Sequence, residues 1–224
     1  MGANERASST SEGGPSGSIA AIGGAVFGVG VAYGAMATSH GFPLWFAPAL
    51  GVAVLAASAE MMFTAMVIAG TSPILALLST LLINTRHVPY GFSVSHDLGH
   101  DGRKWLRAHL VNDESIAMAL AQSSGRARRR ALTRTGIAIL VTWPLGAAVG
   151  GVVGQFVSAA SLGLDSAFPV IMLSLLKTRV FDPELRGPLI VGMGGALVAS
   201  IWLPAQLALF VPLAFIPMIR TDRT

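Results

Sequence analysis

From Gly41 to Thr85 this chain carries one charged residue, Glu60; from Thr135 to Leu164 and from Gly187 to Ile219 it carries none. A helix needs about 20 predominantly apolar residues to cross the hydrocarbon core of a bilayer. The first stretch is long enough for two crossings, the second for one, and the third for two if both are short. Soluble domains carry about 25% charged residues, whereas this chain carries 12% and is 53% hydrophobic. With a mean hydropathy of +0.65, it lacks the polar material to coat a water-facing surface. The sequence therefore reads as an all-α, polytopic membrane protein.

Seven short transmembrane helices are the most economical partition. They fall at Ile19–Thr38, Phe42–Ala69, Ile74 to about Val94, Thr135–Ala160, about Ser166–Leu176, about Pro188–Leu203 and about Ala205–Ile219. Residues 1–18, rich in Ser and Gly with no apolar run, read as a disordered tail. A cleaved signal over Ile19–Ala37 is disfavoured, because the apolar part is too long and the leader holds Glu5 and Glu12 against Arg6. Residues 19–220 then form a single transmembrane domain, interrupted by a polar, basic loop at about 95–134.

That loop sets the orientation. It holds Arg103, Lys104, Arg107, Arg126, Arg128, Arg129, Arg130 and Arg134, while Lys177, Arg179 and Arg186 form a second cluster and Arg220 and Arg223 a third. All three fall on one side if the last four spans each cross once, and the positive-inside rule makes that side cytoplasmic. The C-terminus is then cytoplasmic. Seven crossings put the N-terminus outside; a re-entrant pair over Phe42–Ala69 would put it inside. The location expected is the cell membrane. The pI of about 10.3 thus reflects topology and anionic-lipid contact, and no aromatic residues interleave Arg126–Arg130 for stacking nucleic-acid bases. Absence of cysteine excludes disulfides and Cys-based metal sites.

Glycines recur at four-residue intervals in Gly24/Gly28, Gly30/Gly34 and Gly146/Gly150/Gly154. This spacing lets helix backbones approach closely in a membrane. An echo between Ala37–Phe42 and Ala159–Leu164 suggests an inverted repeat of spans one to three and four to six, followed by a terminal span. Such repeats place a transporter's substrate near the midplane.

Glu60 is the first candidate site residue. A carboxylate in lipid is expensive and ordinarily faces a cavity or a partner; it can carry a proton, or serve as a structural acid held by a neighbouring helix. The second candidate is Asn84-Thr85-Arg86-His87-Val88-Pro89-Tyr90-Gly91, a polar group at the end of an apolar span. Arg86 can hold a substrate carboxylate or neutralise Glu60, and His87 can relay a proton. Interface snorkelling by Arg86 and ordinary helix termination explain the same residues. Asp113-Glu114 after Asn112 suits a capped helix start. His96 and His100 are four apart, a spacing that can place both on one helical face for a metal, but Gly99 weakens the helix, and Asp97 is expected to be solvated. No metal or cofactor is expected.

Three blocks carry a family resemblance. Ala59-Glu60-Met61-Met62-Phe63-Thr64, Asn84-x-Arg86-His87-x-x-Tyr90-Gly91 and Asn112-Asp113-Glu114-Ser115-x-Ala117 stand in the order and spacing of the AzlC family of branched-chain amino acid permeases. The turn at Ser39–Gly41 and the segment Leu162-Gly163-Leu164-Asp165-x-Ala167-Phe168-Pro169 are similar as well. The resemblance runs from about Tyr33 to Pro212. It implies export of branched-chain amino acids, or methionine, driven by protons, together with a small AzlD-type membrane subunit. It makes Glu60, Asn84, Arg86, His87, Tyr90, Asp113 and Glu114 the expected substrate and transport residues. Many relatives carry Gln where this chain has Glu60, which leaves binding of the substrate amino group as an alternative to proton coupling there. A membrane enzyme built on His96 and His100, or a scaffold built on the glycine faces, are the competing readings. Convergence of Glu60, Asn84 and Arg86 on one cavity separates them.

Overall fold

The computed structural model describes residues 15–123, 125–156 and 183–203, all in helices, turns and connections. The chain divides into two units, residues 1–164 and 165–224. The first contains α1 (Pro15–Ser39), α2 (Phe46–Ala53), α3 (Ala57–Ile68), α4 (Pro73–Asn84), α5 (His87–Val94), α6 (Lys104–His109), α7 (Asp113–Leu120) and α8 (Gly125–Phe156). The second contains α9 (Pro183–Ala199), which covers most of the expected sixth span. The fifth and seventh spans, and the second half of the sequence echo, lie outside the described residues. Among those described, two helices are long and apolar enough to cross a membrane, Gly17–Ser39 and Gly125–Phe156.

Turn chemistry sets the ends. Helix α1 is described from Pro15, four residues earlier than the expected tail allowed, and proline at the first helical position begins α4 after Ser72, whose Oγ accepts the Leu75 N–H at 3.3 Å. Helix α1 stops at Gly41 (φ +89°), with Gly41 N–H donating to Thr38 and Phe42 N–H to Ala37. Gly70 (φ +82°) closes α3 by the same pair of bonds, to Val67 and Met66. Both are Schellman ends, in which a left-handed residue turns the chain back on the last carbonyls. The supposed basic loop is largely helical. It comprises α6, α7 and the first turns of α8, with Asn112 and Ser115 forming a reciprocal capping box at α7.

Helices α1 and α8 form the central seam. Gly30 lies so close to α8 that a Cβ on it would sit 2.7 Å from the Trp143 carbonyl oxygen, and a Cβ on Gly34, Gly146 or Gly150 would collide with opposing backbone. Thr38 Oγ1 adds a bond across the seam to the Gly151 carbonyl at 3.0 Å. Gly24 and Gly28, expected to pack likewise, face open space. Gly23 meets Thr142, Phe27 meets Gly146, Val31 meets Gly150 and Ala35 meets Gly154, so the two helices run parallel. The first members of two inverted repeats would run antiparallel; the seam has the opposite sense.

The expected second span is two helices, not one. Helix α2 runs back from Leu44, beside Gly151, to Gly51, against Trp143 and Pro144. The chain breaks at Val54–Ala56, where Leu55 adopts a left-handed φ of +53°. Helix α3 then returns, bringing Phe63 to 6.5 Å from Phe46, ring to ring. Together α2 and α3 make a hairpin that dips beside α8 and comes back. The third expected span is likewise jointed, between α4 and α5, at Thr85–Arg86.

Candidate functional site

The tip of the hairpin meets Trp143, and the site is built there. Glu60 stands in the first turn of α3 and is 2% exposed. One carboxylate oxygen accepts the Ala56 N–H and the other accepts Trp143 Nε1–H, each at 2.9 Å. The first bond satisfies a donor freed by the break before α3; the second ties the hairpin to α8. Tyr33 of α1 stacks on Trp143, with centroids 5.4 Å apart and planes 6° from parallel, and its hydroxyl bonds Thr64 at 3.2 Å. Three helices thus hold one buried acid between them.

On its other side Glu60 borders a cavity of about 150 Å³ between the hairpin and α4. Leu50, Val54, Leu77 and Leu81 supply apolar walls; Thr80 and Asn84 join Glu60 as polar groups. The volume is comparable to an apolar site that takes a benzene-sized molecule, about 150 Å³. Asn84 Oδ1 is buried with no hydrogen-bond partner among the described residues. A ligand with an aliphatic part and a compact donor group suits this lining.

A second cluster lies where α3, α5 and α7 meet. Arg86 donates to Ser58 Oγ at 2.6 Å and pairs with Asp113 at 3.0 Å. Tyr90 donates to the other Asp113 oxygen at 2.8 Å, so one carboxylate bridges α7 to the α4–α5 joint. His87 packs edge-on to Tyr90 and bonds the Asn84 carbonyl through Nδ1 at 3.1 Å. Glu114 is half-buried beside this cluster, and burial pushes its carboxyl above the ordinary carboxylate range.

The expected residues therefore fall into two groups. Glu60 and Asn84 share the cavity. Arg86, Tyr90 and Asp113 form a bridge, joined to the Glu60 turn through Ser58. Arg86 does not neutralise Glu60, because its partners are Ser58 and Asp113. His96 and His100 are exposed, and among the described residues no group of three His, Cys, Asp or Glu could hold a metal. Asp97, expected in solvent, is buried, and its carbonyl accepts Arg129 Nε–H at 2.8 Å. Tyr33, Ser58, Thr80 and Trp143 were not singled out from sequence. Trp143 had a legible signal: an indole N–H in an uncharged span requires a buried acceptor, and Glu60 is the one acid in the neighbouring apolar stretch.

The AzlC protein family matches residues 21–157. An uncharacterized membrane protein of Haemophilus influenzae is 26% identical over 210 residues, covering 92% of this chain and 86% of that protein. A protein of Bacillus subtilis named branched-chain amino acid transport protein AzlC is 24% identical over 191 residues, covering 81% of this chain and 75% of its own length. No solved structure matches the chain.

Proposed function

We propose, from the premise that this chain belongs to the AzlC protein family, that it is the large subunit of a secondary transporter exporting branched-chain amino acids. The observation that carries the reading is the cavity beside Glu60, whose apolar walls suit a branched aliphatic side chain. Glu60, Thr80 and Asn84 supply acceptors for an ammonium group at its polar end. The Arg86–Asp113–Tyr90 bridge ties α7 to the α4–α5 joint, and in this reading it is the gate that closes the substrate path on that side. Opening that side needs the bridge to part, and Asp113 can then release Arg86 to a substrate carboxylate. Proton movement through Glu60 drives the cycle, and a small AzlD-type membrane subunit completes the complex.

The test is efflux. Cells loaded with leucine, isoleucine or valine and expressing this chain with its small subunit are expected to lose the amino acid several-fold faster than vector controls. Dissipating the proton gradient should slow that loss. Efflux indistinguishable from vector for all three amino acids would overturn the assignment.

The parallel seam also changes the topology proposed. If α1 and α8 both cross from the cytoplasm outward, an odd number of crossings must separate them. The α2–α3 hairpin enters and leaves on one side, and α4–α5 supplies the single crossing. The N-terminus is then cytoplasmic, with the basic 103–134 region. Three further crossings would return the C-terminus to the same side, giving six crossings and one re-entrant pair in the cell membrane. The chain has no cysteine, so single substitutions report cleanly. His40→Cys is expected to react with an impermeant maleimide in intact cells, and Ser11→Cys only after permeabilisation. The reverse pattern would restore the outside N-terminus.

A further inference from the structure

A cleft of about 400 Å³ opens between α6 and the N-terminal half of α8. Five arginines line it (Arg103, Arg107, Arg129, Arg130 and Arg134), and no acid does. Two of the five are engaged by the protein itself. Arg107 binds the Leu98 carbonyl and Asp101, whose carboxyl it holds below the usual range, and Arg129 binds the Asp97 carbonyl. The guanidinium groups of Arg103, Arg130 and Arg134 have no hydrogen-bond or ion-pair partner among the described residues. Unpaired guanidinium groups repel one another, so a cradle of this kind is stable when an anion neutralises it.

The shape beside the cradle says which anion. Leu106, Thr133 and Ile137 complete the lining. From Ile137 an exposed apolar stripe continues along α8 through Val141, Leu145 and Val149, with exposures of 44%, 49%, 54% and 48%. Cation and hydrocarbon surfaces thus adjoin at the level where α8 passes from charged to uncharged sequence. We infer that this cleft is a binding site for one anionic phospholipid, with its phosphodiester held by Arg103, Arg130 and Arg134 and an acyl chain along the α8 stripe. Planar guanidinium donors match phosphate oxygens in pairs, and basic pockets at the cytoplasmic face are suited to acidic headgroups. Free phosphate would satisfy the arginines but leave the stripe unused. The inference rests on the membrane reading of α8 and not on the identity of the substrate.

The full chain, purified from membranes and reconstituted in nanodiscs, tests it by native mass spectrometry. Wild-type protein is expected to retain one phosphatidylglycerol in preference to phosphatidylcholine, undisturbed by millimolar inorganic phosphate. The triple variant Arg103→Gln/Arg130→Gln/Arg134→Gln should hold it on the order of a hundredfold more weakly, at about a factor of five per arginine. The triple lysine variant, which keeps the charge, should retain most of the preference. Equal retention of the two lipids by wild-type protein would overturn the site whether or not the glutamine variant folds, and displacement by phosphate would make it a phosphate site instead. Recovery of the chain in the soluble fraction would overturn the membrane reading along with it.

Discussion

Glu60→Ala is expected to abolish efflux and to loosen the helical hairpin at the same time. Alanine leaves the Ala56 N–H and the Trp143 indole N–H without the acceptors they now have at 2.9 Å. Each buried donor left unpaired costs about 1–3 kcal/mol, so the pair together costs roughly 2–6 kcal/mol before any cavity term. The break at Val54–Ala56 suffers most, because Leu55 already holds a left-handed conformation (φ +53°) that a non-glycine residue adopts at a cost of about 1–2 kcal/mol. Glu60→Gln separates structure from charge. Its one carbonyl oxygen keeps one of the two bonds, so thermal stability should fall in the order wild type, glutamine, alanine. A glutamine does not titrate, and efflux by that variant should lose its dependence on external pH. Unchanged pH dependence would free Glu60 from proton coupling and leave it the amino-group role. Efflux by Glu60→Ala equal to wild type would remove the residue from the mechanism. A double-mutant cycle with Trp143→Phe should show coupling of about 0.5–3 kcal/mol, the range for residues in direct contact.

Some of this architecture was legible in the sequence, and the illegible part has physical causes. Charge placement alone marked the apolar stretches, since transfer of charge into lipid is costly for any fold. Glycine spacing marked close-packing faces but not their partners. Gly30/Gly34 and Gly146/Gly150/Gly154 interlock, whereas Gly24/Gly28 meets nothing, because a smooth face is necessary for contact and does not supply it. The hairpin break was hidden for a different reason. Val54, Leu55 and Ala56 include neither Gly nor Pro, and the turn is held by a side chain four residues downstream. Phe42–Ala69 therefore reads as one crossing from its sequence, and the proposed cytoplasmic N-terminus follows instead from the re-entrant alternative. At the site, Glu60 and Asn84 were recognisable as polar groups in apolar surroundings. The Arg86–Asp113 pairing was not, because the acids and Arg86 lie in separate blocks and either Glu60 or Asp113 could have taken the arginine.

Gly150→Val is expected to separate α1 from α8, and with them the site. A Cβ at position 150 would overlap the Val31 carbonyl oxygen, and the Val31 carbonyl carbon and Cα lie directly behind it. Overpacking against mobile side chains costs about 1–3 kcal/mol. Here the obstacle is backbone in a long helix, which cannot rotate aside, so a larger effect follows. In a bilayer the penalty has no hydrophobic offset, because lipid is as apolar as valine and helix association rests on close packing. The seam also sets the distance from Tyr33 to Trp143, stacked at 5.4 Å, and through Trp143 the position of Glu60. Displacement by even one methyl width would strip the carboxylate of its indole donor. Gly150→Val should therefore fail to yield monodisperse protein in detergent or, where it is recovered, should show no efflux. Gly28→Val is the matched control, with the same residue change on the same seam helices at a position that meets nothing within 4 Å. It should express and transport as wild type does. Equal tolerance of both substitutions would mean that the two helices do not pack through their glycines, and the parallel arrangement on which the re-entrant hairpin depends would fall with it.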